Sequence, residues 1–293
     1  MSIEELEKLR KKTANLFRCG IIISCIATSI LFYIKRDTSY IFFGLFVGIA
    51  LTIILVQVPQ NKFRTAFKEY FVLNYLKTIF TDLIYKPEYG LDESIIENTN
   101  MVDMGDRYSS EDYMSGKYKG INVVQADVHI EEIDNDDEGS SSFTLFKGRW
   151  MIFEFNKTFK SNLQIYQKGI RSYNLNNSLS KKYYNKVSLE DQEFNNIFTV
   201  YAQNEHEAFY ILTPHFMERM KNISSIVRGS LLFCFIDNKL HVGLYDNNDS
   251  FEWNIFKKLD ESNLKNTIIS DIKAITDFVD ELNLDNTLFK EEK

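Results

Sequence analysis

The run His206-Glu207-Ala208-Phe209-Tyr210 puts a histidine and a carboxylate where the helix of a zinc protease begins. That chemistry needs a second histidine one turn after the first, so that both imidazoles face one ion. Tyr210 stands in that place and breaks the motif. His215 and His129 lie too far along the chain to replace it, and no metal site is expected. Carboxylates gather at Glu190, Asp191, Glu193, Glu205 and Glu207. Two acids within ~10 Å of each other can share a proton or act as general acid and base. A carboxylate-rich turn around a short helix more simply caps that helix and faces water, so no catalytic residue is assigned. Cys234 sits between Phe233 and Phe235, with no basic group to lower its thiol pKa. Cys19 and Cys25 fall in an apolar run, so the three cysteines form neither a disulfide framework nor a metal spacing. No glycine-rich loop opens a helix after a strand; there is no phosphate cradle, and no cofactor is expected.

The elements that must hold these residues are mixed in kind. Between Pro59 and Tyr85, the residues Ala66, Tyr70, Leu73, Leu76, Phe80 and Leu83 recur at three- and four-residue steps. The spacing predicts an amphipathic helix that Pro59 opens by breaking the preceding apolar run, and that Lys86–Gly90 closes. Short helices are expected at Asp92–Asn98 and at Ser109–Met114, the second from the capping-box-like spacing of Ser109 and Asp112. Ala126, Val128 and Ile130 alternate within an expected strand over Ile121–Ile133, and the acidic, serine-rich Asp134–Ser142 reads as a solvated hairpin loop. Phe143–Phe146, Trp150–Phe155, Leu163–Gln167 and Phe198–Ala202 read as further strands, and Gly169–Lys182 as an exposed loop. Glu205–Leu212 reads as helical, and Thr213 and Pro214 as the N-cap and first residue of a helix reaching about Ile223. Leu231–Ile236 and Leu240–Tyr245 flank Asp237-Asn238-Lys239, a hairpin signal. A last helix opens near Ser262 with Leu264, Ile268, Ile272, Ile275, Val279 and Leu282 as its buried stripe. Strands interspersed with helices, without regular βαβ alternation, indicate an α+β domain with a mostly antiparallel sheet and a long C-terminal helix.

Two apolar runs precede all of this, Phe17–Ile34 and Tyr40–Val58. Each is close to the ~20 residues that a helix needs to cross ~30 Å of hydrocarbon. The first is too long for a signal peptide and lacks a small-x-small cleavage site, so a retained transmembrane hairpin is expected. Ser2–Leu16, with Ile3, Leu6, Leu9 and Leu16 on one side, leads into it as an amphipathic helix. Small residues recur every four positions: Gly20, Ser24 and Thr28, then Gly44, Gly48 and Thr52. Such faces let helices approach closely in lipid, either within the hairpin or, through Gly44 and Gly48, between two copies in a homo-oligomer. Between Cys19 and Ile34, and between Tyr40 and Val58, there is no ionisable residue of the kind an ion pathway requires. Lys8, Arg10, Lys11, Lys12 and Arg18 flank the start, and Lys62, Arg64 and Lys68 the end, against Lys35 and Arg36 in the connection. This distribution places both termini in the cytoplasm. Of the 34 basic and 41 acidic residues, 27 and 37 follow Val58, a charge balance that repels phosphate backbones and makes nucleic acid an unfavourable partner.

The segments Phe146-Lys147-Gly148-Arg149-Trp150, Phe153-Glu154-Phe155-Asn156-Lys157-Thr158-Phe159 and Leu189-Glu190-Asp191-Gln192-Glu193-Phe194 form one pattern with Val200-Tyr201. The run Glu207-Ala208-Phe209-Tyr210-Ile211-Leu212-Thr213-Pro214, with Phe216-Met217-Glu218-Arg219 after it, completes the pattern. Together they resemble the bacterial membrane-protein family called domain of unknown function 3137, from the spans to the last helix. The resemblance implies two spans and a cytoplasmic α+β domain, and brings no activity or catalytic residue.

The resulting expectation is a bacterial inner-membrane protein divided into a lead-in (1–16), a hairpin (17–58), a juxtamembrane helix and linker (59–90) and a cytoplasmic domain (91–293). The domain binds or scaffolds a protein partner or a small ligand, with the lipid bilayer as the other partner. Glu207, Glu218 and Arg219 are the candidate binding residues, and Gly20, Ser24, Gly44 and Gly48 the packing residues of the spans. The alternative is a membrane-tethered hydrolase using the acids at Glu190–Glu207.

Overall fold

In the computed structural model, Ser2 starts the chain's first helix with a reciprocal cap. Its Oγ accepts the Glu5 N–H at 3.2 Å, and its own N–H donates to the Glu5 carboxylate at 2.8 Å. From there α1 (Ile3–Lys35) runs unbroken through the lead-in and the first apolar run. The described residues are 1–136, 139–155, 158–169, 184–282 and 284. They form two units, Met1–Tyr75 with Phe251–Ile268, and Leu76–Ser250 with Ile269–Lys293.

In the first unit, α2 (Ser39–Phe67) folds back along α1 and continues through a π-helical turn, Lys68–Val72, into α3 (Leu73–Leu76). Pro59 lies inside α2 and does not break it, contrary to the sequence expectation. A proline deletes one hydrogen bond, and a helix with several turns on each side tolerates that single loss where neighbouring helices support it. The two helices interlock through their small residues. A Cβ on Gly48 would overlap the Ser24 side chain, and one on Gly44 would meet the Thr28 Oγ1 at 2.7 Å. Gly20 faces Thr52 in the same way, at 2.5 Å. Away from this seam the helices leave large apolar side chains uncovered, with Phe42 77 % and Leu55 70 % exposed. Both helices are long and apolar enough to cross a membrane.

Residues 251–268 complete this unit around the ends of α1 and α2 that lie outside the apolar band. Arg64 and Lys68 hold Glu252 at 2.7 and 2.8 Å, and Trp253 packs on Phe67 with ring centroids 5.9 Å apart. The Leu259 N–H donates to the Glu7 carboxylate at 3.1 Å, and Arg10 donates to the Ile255 carbonyl.

The second unit is a nine-stranded antiparallel sheet with helices. Its elements are β1 (Thr81–Lys86), α4 (Glu93–Glu97), β2 (Arg107–Tyr118), β3 (Ile121–Asp136), β4 (Gly139–Glu154), β5 (Leu163–Gln167) and β6 (Asn185–Val187). They continue with α5 (Gln192–Ile197), β7 (Phe198–Ala202), α6 (Glu205–Ile211), α7 (Pro214–Ile226), β8 (Ser230–Ile236), β9 (Lys239–Tyr245) and α8 (Glu261–Leu282), whose first turns count with the other unit. The strand order is β1-β2-β3-β4-β9-β8-β5-β7-β6. This is the α+β class expected, with its long last helix. One sheet face buries Ala126, Val128, Ile130, Trp150, Leu232 and Cys234. On the other, Phe278 of α8 meets Phe153 and Phe233 at centroid distances of 6.3 and 6.4 Å.

Several local expectations give way to strand pairing. The juxtamembrane helix ends at Leu76, and Leu83 lies in β1, where Tyr85 pairs with Met114. Ser109–Met114 is strand, not helix: its cap-like spacing is overridden by pairing with β1 and β3, and Asp112 takes a left-handed φ of 59° within the irregular Glu111–Met114 register. Asp134–Ser142 is not a wide loop. Pairing continues to Asp136↔Gly139, the ladder extending from Ile121–Ile133 against the low strand propensity of Asp, Asn and Gly, and only residues 137 and 138 lie outside the description. Phe143–Phe146 and Trp150–Phe155 merge into β4, joined through Gly148 at φ 152°, where a Cβ would strike the Leu244 carbonyl of β9. Of the expected loop at Gly169–Lys182, everything after Gly169 lies outside the described residues, as do Asn156 and Lys157.

Candidate functional site

Thr213 and Pro214 start α7 as the sequence expects: the Thr213 Oγ1 accepts the Phe216 N–H at 3.3 Å, and Phe216 and Met217 are buried. The same construction starts α5, where Asp191 accepts the Phe194 N–H at 2.9 Å and Phe194 is fully buried. These two caps bring the charged ends of α5 and α7 together. Lys221 of α7 lies 3.4 Å from Asp191, 2.8 Å from Glu193 and 2.8 Å from Glu218. The hydrogen bonds it donates to Glu193 and Glu218 hold the Lys221 ammonium above its ordinary pKa, and the Phe194 N–H holds Asp191 below its own. The acids near Glu190 therefore meet on a lysine as an ion cluster, the arrangement of a neutralised surface rather than of an acid–base pair.

The candidate residues from sequence fall on three different partners. The Glu207 carboxylate accepts the Lys160 N–H at 3.2 Å. Glu218 belongs to the Lys221 cluster. Arg219 donates to the His215 Nε2 at 2.9 Å and to the Glu281 carbonyl at 2.8 Å, a cation at the C-terminal end of α8. His206 is exposed at the start of α6, so the broken zinc motif lies on the surface. Phe209 and Tyr210 follow it, 48 % and 46 % exposed.

A second polar group escapes sequence reasoning altogether. Asp127, Arg149 and Ser250 are buried beneath the sheet face that carries Phe153. Asp127 receives the Ser250 Oγ–H at 2.7 Å on one oxygen and the Ser250 N–H on the other. Arg149, its register partner on β4, donates to the Asp271 carbonyl at 2.9 Å and to the Asp271 carboxylate at 3.0 Å. Burial and the charge of Asp112 push the Asp127 carboxyl up to about 8, against the pull of Ser250 and Arg149. Asp112 itself is buried and accepts the Tyr85 hydroxyl at 2.6 Å. Gln125, two residues before Asp127, is fully buried with neither amide atom paired among the described residues. On the opposite face, burial holds His241 down to about 4, where its Nδ1 accepts the Trp150 indole N–H at 3.2 Å. The one sequence signal for this group was polar residues placed between Ala126, Val128 and Ile130, a pattern that ordinarily marks a solvent face.

Among curated proteins, none matches the chain. Of solved structures, it is similar to one described as the crystal structure of the mycobacterial trehalose monomycolate transport factor A, TtfA. That likeness has 8 % identity and a TM-score of 0.41, over 78 % of this chain and 97 % of that one. The motifs quoted above are largely caps and core of the second unit: Leu189, Phe194, Ala208, Leu212, Phe216 and Met217 are all buried. Residues 144–284, which start within β4 and do not reach the hairpin, match the model of the family described as "Protein of unknown function (DUF3137)", the family the motifs resemble.

Proposed function

We propose that the chain is a membrane-anchored binding or scaffolding protein, held in a bacterial inner membrane by α1 and α2 with both termini in the cytoplasm. Its sheet unit recruits a protein partner through the α6–α7 surface. The observation that carries this reading is the contrast between two uncovered apolar stretches, 19–34 of α1 and 40–58 of α2, that hold no acid or basic side chain, and a folded unit that exposes aromatics beside a charged helix. Phe209 and Tyr210 supply apolar contact area, and Glu218 and Arg219 supply charge for orientation. The hydrolase alternative gains no support from geometry, because Asp191 and Glu193 are engaged by Lys221 and Glu207 by a backbone N–H. The Gly44-x-x-x-Gly48 face lies against Thr28 and Ser24 of the same chain, which favours an anchor whose stripe is used internally over a dimer through it.

Photo-crosslinking from position 209 of the full chain in native membranes tests the reading. A discrete protein adduct, lost in Glu218→Arg, is expected. Turnover by the purified protein that Glu193→Gln or Glu207→Gln abolishes replaces it with the hydrolase.

A further inference from the structure

The connection between β9 and α8 is pinned at several points to the hairpin ends, yet it holds one large ring out. Trp253 packs on Phe67 and donates to the Lys257 carbonyl at 3.0 Å, Arg10 holds the Ile255 carbonyl, and Glu7 holds the Leu259 N–H. Between these fixed points Phe256 remains 46 % exposed. Its ring meets the edge of Phe17, with centroids 5.4 Å apart, and the Arg18 guanidinium lies 6.0 Å from its centroid. Lys257 and Lys258 follow it, both exposed, with the Lys257 ammonium 5.5 Å from the Trp253 ring.

The register of the hairpin fixes how deep this ring stands. Gly20 faces Thr52, Ser24 faces Gly48 and Thr28 faces Gly44, and the same register carried on sets Ala14 level with Val58 and Phe17 level with Leu55. The apolar run of α2 ends at Val58. Phe17 itself opens the apolar run of α1, so Phe17 and the Phe256 ring against it stand at the edge of the apolar band, at most about one turn, ~5 Å, inside it. That is the depth at which interfacial aromatic residues and amphipathic segments seat, at the boundary between headgroups and acyl chains. Exposed cations ring the same end of the unit: Lys11, Lys12, Arg18, Lys62, Lys257 and Lys258. An exposed ring held rigidly at this level, surrounded by positive charge, fits one occupant, an anionic phospholipid surface.

We infer that Phe256, Lys257 and Lys258 form a third membrane-contacting element, in which Phe256 seats beside Phe17 at the acyl boundary and Arg18, Lys257 and Lys258 bind lipid phosphates. The inference rests on the hairpin crossing the bilayer, and the test separates the two. The full chain, with Cys19 and Cys25 changed to Ala and the buried Cys234 kept, carries a nitroxide at position 26, 209, 256 or 258. It is reconstituted in phosphatidylcholine vesicles with or without phosphatidylglycerol. Collision with oxygen is expected to exceed collision with a water-soluble nickel chelate at 26 and at 256, with the reverse at 209. Phosphatidylglycerol deepens the label at 256, and Lys257→Gln with Lys258→Gln removes that shift. The label at 258 leaves Phe256 intact and is shielded from nickel relative to 209. Lipid-like behaviour at 26 with water-like behaviour at 256 and 258 overturns this inference alone. Water-like behaviour at 26 overturns the membrane reading and this one with it.

Discussion

The hairpin seam and the sheet bury different kinds of polar group. Between α1 and α2, Ser24 and Thr28 hide hydroxyl oxygens that have no partner among the described residues, pressed against Gly48 and Gly44. In the sheet, Asp127, Arg149 and His241 are buried on named partners, Ser250, Asp271 and Trp150, while the Gln125 amide and the Gln164 Oε1 have none among the described residues. The first seam uses small side chains for their size, since packing rather than the hydrophobic effect brings helices together in lipid. The second encloses ionisable side chains: Arg149 is held by Asp271, while burial favours the uncharged forms of Asp127 and His241. Shape closes the hairpin seam, while the sheet adds bonded ionisable groups to an apolar core.

The largest expected effect is on the sheet's apolar side. Trp150 is fully buried, stacks edge-on to Phe146 at 5.5 Å and donates to His241. Trp150→Ala removes the ring and leaves a neutral, buried imidazole unpaired, a change of ~3–5 kcal/mol. Urea unfolding of the sheet unit in detergent should show it as a lowered midpoint, with the helical signal of the hairpin retained. Equal loss of both signals would mean that the two units do not unfold separately.

Gly48→Ile strikes the other region. Its side chain must occupy the space of Ser24, so the helices separate or shift, at ~1–3 kcal/mol. The expected result is earlier thermal aggregation in detergent, with unchanged near-ultraviolet dichroism from the tryptophans of the folded units. Native mass spectrometry sharpens the comparison: unchanged mass is expected, and a dimer lost in the variant would place the stripe between chains.

The buried carboxylate gives a dependence on pH that the hairpin lacks. Asp127 has its pKa raised from 3.8 to about 8, so the folded unit keeps a proton that the unfolded chain releases. Stability should therefore fall as pH climbs from about 4 to about 8, and be full below that window. His241 acts at the acid end: its pKa is lowered from 6.5 to about 4, so stability is lost as pH falls across that range. Between about 4 and 6.5 the two groups act in opposite directions, so Asp127→Asn should flatten the alkaline limb of the urea midpoint, from about 6.5 to 8, and steepen the acid limb that Asp127 otherwise offsets. An alkaline limb that survives in the variant assigns it to another group.

What could be read from sequence follows the same division. The two long apolar helices were legible because the mostly apolar runs Phe17–Ile34 and Tyr40–Val58 have the length of a span, while the four-residue spacing of Gly20, Ser24, Gly44 and Gly48 left open whether the stripe packs within the hairpin or between chains. The cap at Thr213 was an equally local signal. Pro59 misled because its effect depends on what surrounds the helix, and Ser109–Met114 misled because a cap-like spacing competes with long-range pairing. Gln125 and Asp127 were invisible for a deeper reason: alternation with Ala126 and Val128 says that one face is apolar, and nothing near them says that the other is covered too. Phe256 was missed likewise, since its neighbour Phe17 is more than two hundred residues away in the chain.

The smallest expected effect tests whether the α6–α7 surface is a structural ion cluster or a recognition surface. Lys221 carries three carboxylates, of which Glu193 and Glu218 are largely exposed. Exposed pairs contribute little because water and salt screen them. Lys221→Met leaves Asp191, Glu193 and Glu218 as mutually repelling charges, so its melting temperature should fall slightly at low salt and recover as salt is added. Glu218→Gln leaves Asp191 and Glu193 on the lysine and should leave the fold unaltered. Adduct formation from position 209 then separates the roles. If the cluster serves only the fold, neither variant alters crosslinking once salt has restored stability; if it orients a partner, Glu218→Gln weakens crosslinking at full stability. The second outcome is the one expected, because a carboxylate spent only on an exposed ion pair has little left to do for the fold.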